Sequence, residues 1–289
     1  MDIALFIALT FASSGVNLIE SIMIKKYNEK HDKGGFVFTG IVSLFSMLFF
    51  VITDKGGFDF RLEMLPYGIL SGIFYCVSSI MAFVALGCGP FALSRLILSY
   101  GGIFSIGYGI FFLHDDIGIF TVIGIALMLI SLYLSRLPKA ENEEKASFKW
   151  IICIALATVG SGMYGVIMKM QQIKFESALD NEFMIIGLGF SALSLFVIGV
   201  IKDGKDAFFI LKNGTFYSSV AGLSNGLTNF ITLFTNQLLA ISIASPVRSG
   251  IGMIFSFLVS KIMFNEKFLP RQVVGMIIGT AAIILINIK

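Results

Sequence analysis

The sequence predicts an all-α membrane protein of ten transmembrane helices in two inverted five-helix repeats, and three observations lead there. Of the 289 residues, 56% are hydrophobic and only 13% are charged, against about 25% charged in a soluble domain. Apolar runs approaching the ~20 residues that a helix needs to cross the hydrocarbon core recur along the chain. The phrase "KIMFNEKFLPRQVVGMIIGT" at 261–280 also echoes "IFFLHDDIGIFTVIGIALML" at 110–129. The ~10-residue alternating segments of a transmembrane barrel do not occur.

The first apolar run, 3–25, has no basic stretch ahead of it and no small-residue cleavage site, so it reads as a spanning helix rather than a removable signal. Four more spans follow at roughly 36–53, 65–87, 91–113 and 117–135. Pro90 marks the start of the fourth, and Gly101, Gly102, Gly107 and Gly109 inside it permit close packing and bending. The longest connection is the charged stretch "RLPKAENEEKASFKW" at 136–150. It divides the chain into an N-terminal repeat, 1–135, a linker, 136–148, and a C-terminal repeat, 149–289. The second set of spans is 149–170, 182–201, 214–239, 243–264 and 268–288, with Pro246, Gly250 and Gly252 in its fourth member. Cys76, Cys88 and Cys153 fall within or at the ends of apolar runs without CxxC or metal spacing, and read as small apolar side chains.

Three offsets align the halves. A shift of 151 lays Gly101, Ile103, Phe104 and Ser105 on Gly252, Ile254, Phe255 and Ser256, and Asp115 on Glu266. A shift of 147 lays Ser14-Gly15 on Ser161-Gly162, and a shift of 150 lays Tyr67 and Gly72 on Tyr217 and Gly222. Five helices per repeat is an odd number, so the second copy enters the bilayer from the opposite face. Inverted repeats of this kind characterise secondary transporters, with the substrate site near mid-membrane between the halves.

Lys and Arg gather in alternate connections: Lys25, Lys26, Lys30 and Lys33 in the first, Arg136, Lys139, Lys145 and Lys149 in the fifth, Lys202, Lys205 and Lys212 in the seventh, Lys267 and Arg271 in the ninth. By the positive-inside rule these are cytoplasmic and both termini lie outside. The net charge of +3 reflects these loop lysines. No basic patch with interleaved aromatics exists, so nucleic acid is not an expected partner.

Asp115 and Glu266 each sit in a tight turn before the last helix of a repeat, where a carboxylate favours free N–H groups and the positive dipole end. They either pin a hairpin or bind substrate or protons. Five plus five spans, with an acidic turn and then a Gly-containing helix in both halves, resemble the EamA-like family of the drug/metabolite transporter superfamily. The matching stretches are "MFNEKFLPRQVVGMIIGTAAIILI" at 263–286 and, more loosely, "FLHDDIGIFTVIGIALMLISLYL" at 112–134, which has Asp where the family usually has Glu. The resemblance implies a ten-helix inverted-repeat carrier, often an exporter of amino acids or other small metabolites, with no cofactor.

The eighth span carries the clearest polar pattern. Ser218, Gly222, Asn225, Asn229, Thr232 and Asn236 follow at steps of 4, 3, 4, 3 and 4 along one stripe. Amides facing lipid would cost several kcal/mol each, so they either join helices or line a wet cavity, where donors and acceptors suit a zwitterionic or polyol-like solute. The 150-residue shift maps the stripe onto Gly68, Gly72, Tyr75, Ser79 and Ala82 of the third span. In the first span Ser13, Asn17 and Glu20 share a face, and Tyr164 of the sixth aligns with Asn17. Glu20 is an intramembrane acid, a candidate for proton coupling; the alternative is a carboxylate reaching Lys25 and Lys26. Lys169 reads as an anchor snorkelling to the interface. Arg95 and Arg248 stand about one turn into the fourth and ninth spans. They either enrich a carboxylate-bearing solute at two opposite mouths or reach lipid headgroups.

The expected substrate-binding set is therefore Asn17, Tyr75, Ser79, Arg95, Tyr164, Asn225, Asn229, Thr232 and Arg248, around a cavity between spans 1, 3, 4, 6, 8 and 9. A quaternary amine would want an aromatic cage, and the single tryptophan, Trp150, is expected at a membrane interface. An enzyme is not expected. "GLSNG" at 222–226 fits the nucleophile-elbow pattern but lies mid-helix, and His31 and His114 sit in loops. No metal-binding spacing is present.

Overall fold

The computed structural model describes residues 2–31, 34–54, 56–113, 118–135, 148–204, 206–238, 241–265 and 269–285. Among them the chain forms α1 (Asp2–Lys30), α2 (Gly35–Thr53), a single 3-10 turn (Leu62–Met64), α3 (Leu65–Cys88), α4 (Phe91–Ser99), α5 (Gly102–Phe112) and α6 (Ile119–Ser135). After the linker come α7 (Phe148–Lys174), α8 (Asp180–Lys202), α9 (Asp206–Asn213), α10 (Thr215–Leu238), α11 (Ile241–Met263) and α12 (Pro270–Leu285). Among the described residues six helical stretches are long and apolar enough to cross a bilayer. Large apolar side chains such as Ile52, Phe111, Val200 and Ile201 point outward, whereas Ser43, Ser46, Ser71, Ser191 and Ser218 are buried. Apolar outside and small-polar inside is the pattern of helices packed in lipid. The chain is an all-α, multi-pass membrane protein.

Packing follows a regular scheme. α3 lies against α7 and α8, α10 against α1 and α2, α2 against α8, and α6 against α12, while α11 touches α1, α4, α5 and α12. Small residues let these backbones approach. A β-carbon on Gly160 of α7 would stand 2.9 Å from the Ser78 amide of α3. Between α2 and α8 the Ser43 and Ser191 hydroxyls meet at 3.2 Å.

Two features depart from the sequence expectation. The expected fourth span, 91–113, is broken into α4 and α5. At Tyr100 and Gly101 the amides bond three residues back, to Ile97 and Leu98, and Ile103 and Phe104 do the same to Tyr100 and Gly101. This tight turn interrupts the four-residue ladder. Gly101 is also where α7 comes close, since a β-carbon there would stand 2.8 Å from Ser161 Oγ. The second departure is α9, inside the expected seventh connection. Its Ile210 is fully buried while Phe208 and Leu211 face outward. Ile210 seats against Gly34, whose φ of +70° and lack of a β-carbon, which would fall 1.7 Å from Ile210 Cδ1, both require glycine.

Trp150, in the first turn of α7, packs against protein. It is 5% exposed and donates from Nε1 to Ser94 Oγ at 3.0 Å. Asp115, His114 and Glu266 lie outside the described residues, as does the linker up to residue 147.

Candidate functional site

A cavity of about 330 Å³ opens between α1, α3, α4, α5, α7, α10 and α11. Side-chain direction along α10 explains its amide wall. Near the helix start, Ser218 returns its hydroxyl to the Gly214 carbonyl at 2.9 Å, and Gly222 packs against α2, where a β-carbon would stand 2.5 Å from the Val42 carbonyl oxygen. Further along, Asn225, Thr228, Asn229, Thr232 and Asn236 turn to the cavity. The stripe read from the sequence is therefore packing at one end and cavity wall at the other. α3 behaves alike: Gly68 and Gly72 seat α8, and Tyr75, Ser79 and Ala82 line the cavity.

Asn225 organises one end of the space. Its Oδ1 accepts from Ser46 Oγ at 2.9 Å, Tyr75 OH at 3.0 Å and Asn229 Nδ2 at 2.9 Å. With the carbonyl so occupied, its amide nitrogen points to Glu20, donating to Oε2 at 3.0 Å. Glu20 lines the cavity, so its carboxylate faces inward. Lys25 meanwhile donates to the Gly89 carbonyl at 3.2 Å and lies over the Phe264 ring.

Arg95 folds back onto α1 rather than toward headgroups. Nη1 donates to Ser21 Oγ at 3.0 Å, Nη2 to Asn17 Oδ1, and Nε reaches Ser256 Oγ of α11 at 3.5 Å. The guanidinium also lies within Coulombic reach of Glu20. A carboxylate and a guanidinium thus share one end of the cavity, surrounded by neutral donors and acceptors.

The other end is built differently. Arg248 donates from Nη2 to Thr235 Oγ1 at 2.9 Å and to Asn236 Oδ1 at 3.0 Å. Lys169 donates to the backbone carbonyl of the same Asn236 at 3.1 Å. Lys169 of α7 is thus bonded to α10.

All ten residues singled out from the sequence line this one cavity: Asn17, Glu20, Tyr75, Ser79, Arg95, Tyr164, Asn225, Asn229, Thr232 and Arg248. Tyr75 and Tyr164 set their rings 5.5 Å apart, and the Tyr164 hydroxyl meets Met184 Sδ at 3.2 Å. Sequence reasoning missed Ser21, Thr228, Ser249 and Ser256 on the cavity wall, and Ser46 behind Asn225. Thr228 stands one turn from Asn225 and Thr232, and helical spacing alone would have found it. Ser46 is set by the docking of α2 on α10, for which the sequence carries no signal.

No protein-family model matches the chain, and no curated protein matches it. One solved crystal structure, described only as that of a protein, is similar with a TM-score of 0.66. The match covers 96% of this chain and 97% of the other at 12% identity. At that identity the likeness concerns the fold alone.

Proposed function

We propose that the chain is a secondary transporter of the EamA-like, drug/metabolite type that moves a small polar metabolite across the cytoplasmic membrane by alternating access. The solute class is an amino acid or a related carboxylate or zwitterion, and export is the direction that the family resemblance implies. One observation carries the reading: two arginines, a glutamate and a wall of amides and hydroxyls surround a single cavity inside a helix bundle whose outer surface is apolar. In lipid such groups are costly unless they serve one another or a polar occupant.

Ten spans in two inverted repeats provide the moving parts. The scheme of contacts supports that architecture, because α10 pairs with α1 and α2 as α3 pairs with α7 and α8. These are the partners expected when the first, second and third helices of one repeat correspond to those of the other. The charge bias of the connections puts both termini outside. Rocking one repeat against the other would open the cavity to each side in turn. The break between α4 and α5 lies on the cavity wall at Gly101 and Gly102, and it suits a helix whose halves move separately.

Purified protein in proteoliposomes is expected to give saturable solute flux with counterflow; unsaturable flux would mean a channel. Asn229→Leu is expected to abolish flux while the protein still elutes as a folded species. Wild-type flux in that variant would end the case for the amide wall. Glu20→Gln is expected to remove the pH dependence of uptake, and retained dependence would leave Glu20 a structural role as the acceptor of Asn225.

A further inference from the structure

The two ends of the cavity differ in charge. At the Asn225 end Glu20 and Arg95 line the same wall, and Arg95 is held by Asn17 and Ser21, which flank Glu20 on α1, and by Ser256. An acid and a base share that end. At the Asn236 end Arg248 has no carboxylate partner among the described residues. Nη2 is held by two neutral oxygens, and the buried Nε has no hydrogen-bond partner among the described residues. Lys169 also reaches this end, donating to the Asn236 backbone carbonyl.

The ends are also far apart. Asn225 and Asn236 are eleven residues apart on α10, about 16 Å at 1.5 Å per residue. Ser256, which Arg95 reaches, and Arg248 are eight residues apart on α11, about 12 Å. These spacings set Arg95 and Arg248 toward separate ends of the cavity.

We propose that Arg248 forms a subsite for an oxyanion group of the solute, a carboxylate or a phosphate, and that Arg95 is the fixed counter-charge of Glu20 rather than a solute ligand. This rests on the carrier reading and narrows it. The Arg248 guanidinium lines the cavity and supplies the charge-assisted donors. Thr232 and Ser249 are hydroxyls on the same wall, and Asn229 lies two turns from Asn236, within reach of the remainder of a small solute. Glu20 is left free of the solute and available to a coupling proton.

The test uses full-length protein in nanodiscs of neutral phosphatidylcholine, with thermal unfolding followed while sodium acetate, inorganic phosphate or methylammonium chloride is titrated at matched ionic strength. Acetate or phosphate is expected to raise the unfolding temperature saturably, and methylammonium is not. Whichever anion binds tighter assigns the oxyanion. Arg248→Gln is expected to weaken anion binding by about tenfold or more, the loss of one charge-assisted hydrogen bond, whereas Arg95→Gln is expected to weaken it far less. Where Arg248→Gln does not fold, Arg248→Lys keeps the charge without the planar fork and is expected to weaken the anion measurably. The proposal is overturned by an anion effect that no Arg248 substitution diminishes, by equal loss in the Arg95 variant, or by no saturable anion effect in wild type. Binding is read without transport. A protein that binds acetate but shows no counterflow would end the carrier reading and leave the subsite standing, and flux without anion binding would do the reverse.

Discussion

Gly222 of α10 approaches α2 so closely that a β-carbon would stand 2.5 Å from the Val42 carbonyl oxygen; Gly72 of α3 stands in the same relation to α8, 2.7 Å from the Gly187 carbonyl oxygen. One turn on, the two helices diverge. α10 turns Asn225 and Asn229 to the cavity, and α3 turns Tyr75 and Ser79. The stretch that docks is the same in both helices and the stretch that faces the cavity is not. Docking in lipid asks only for small residues and close backbones, which any pair of related helices can share. The cavity face answers to its occupant, and two unlike walls can hold two unlike sides of one solute.

The docking half of the comparison is the easier to break, and the expected effect is the largest. Gly222→Val and Gly72→Val each place new atoms against backbone, which cannot rotate away, and each should cost about 3 kcal/mol of stability or more. Thermal unfolding of the two variants in matched nanodiscs measures it. Equal losses sharpen the comparison. A tolerated Gly72→Val beside a crippled Gly222→Val would show that the two helices dock by different means.

The cavity half should respond unequally. Asn225→Leu leaves Glu20 without its donor and removes the acceptor shared by Ser46, Tyr75 and Asn229; such orphaned groups cost about 1–3 kcal/mol. Tyr75→Phe removes one of three donors from an oxygen with two lone pairs, so about 1 kcal/mol or less is expected. The ratio of the two losses, read from the same unfolding experiment, tests whether Asn225 is the centre of this network. A Tyr75→Phe loss as large as that of Asn225→Leu would move the centre to α3.

The same division explains what was legible in the sequence. Span positions follow from apolar length, and the helices begin and end within a few residues of the expected bounds, apart from tails such as 26–30 of α1 that continue as polar helix. The polar stripe of α10 was legible because helical periodicity places residues on a face without any knowledge of the neighbours. What that face meets was not legible: Ser218 and Gly222 belong to the stripe yet pack against protein. The α4–α5 break was hidden because "SYGG" at 99–102 is compatible with both a bent helix and a broken one. The choice falls to the close approach of α7 at Gly101. α9 was hidden by its eight residues, too short for a periodic signal.

An effect smaller than the loss of Asn225 belongs to the ends of α2 and α8. The N-cap of α2 is Gly34, which has no side chain to offer. Asp203, just past α8, supplies the missing acceptor, taking the Val37 amide on Oδ2 at 2.8 Å. Asp54, just past α2, instead accepts from Gly56 in its own loop at 3.1 Å. Asp203→Ala should therefore cost about 1 kcal/mol, the usual loss of a helix cap, and Asp54→Ala far less. The pH dependence has a definite sign. Burial raises the Asp203 carboxyl above its ordinary value of 3.8, against the opposing pull of the Val37 and Phe36 amides. A raised folded-state value means that the folded protein holds the proton more tightly than the unfolded chain does. That contribution is complete below 3.8 and lost as pH rises through the higher folded value. The stability gap between wild type and Asp203→Ala should thus widen as pH falls through the acidic range. A gap that narrowed instead would mean that the ionised carboxylate, favoured by the α2 amides and the positive end of the helix, outweighs the cost of burying it.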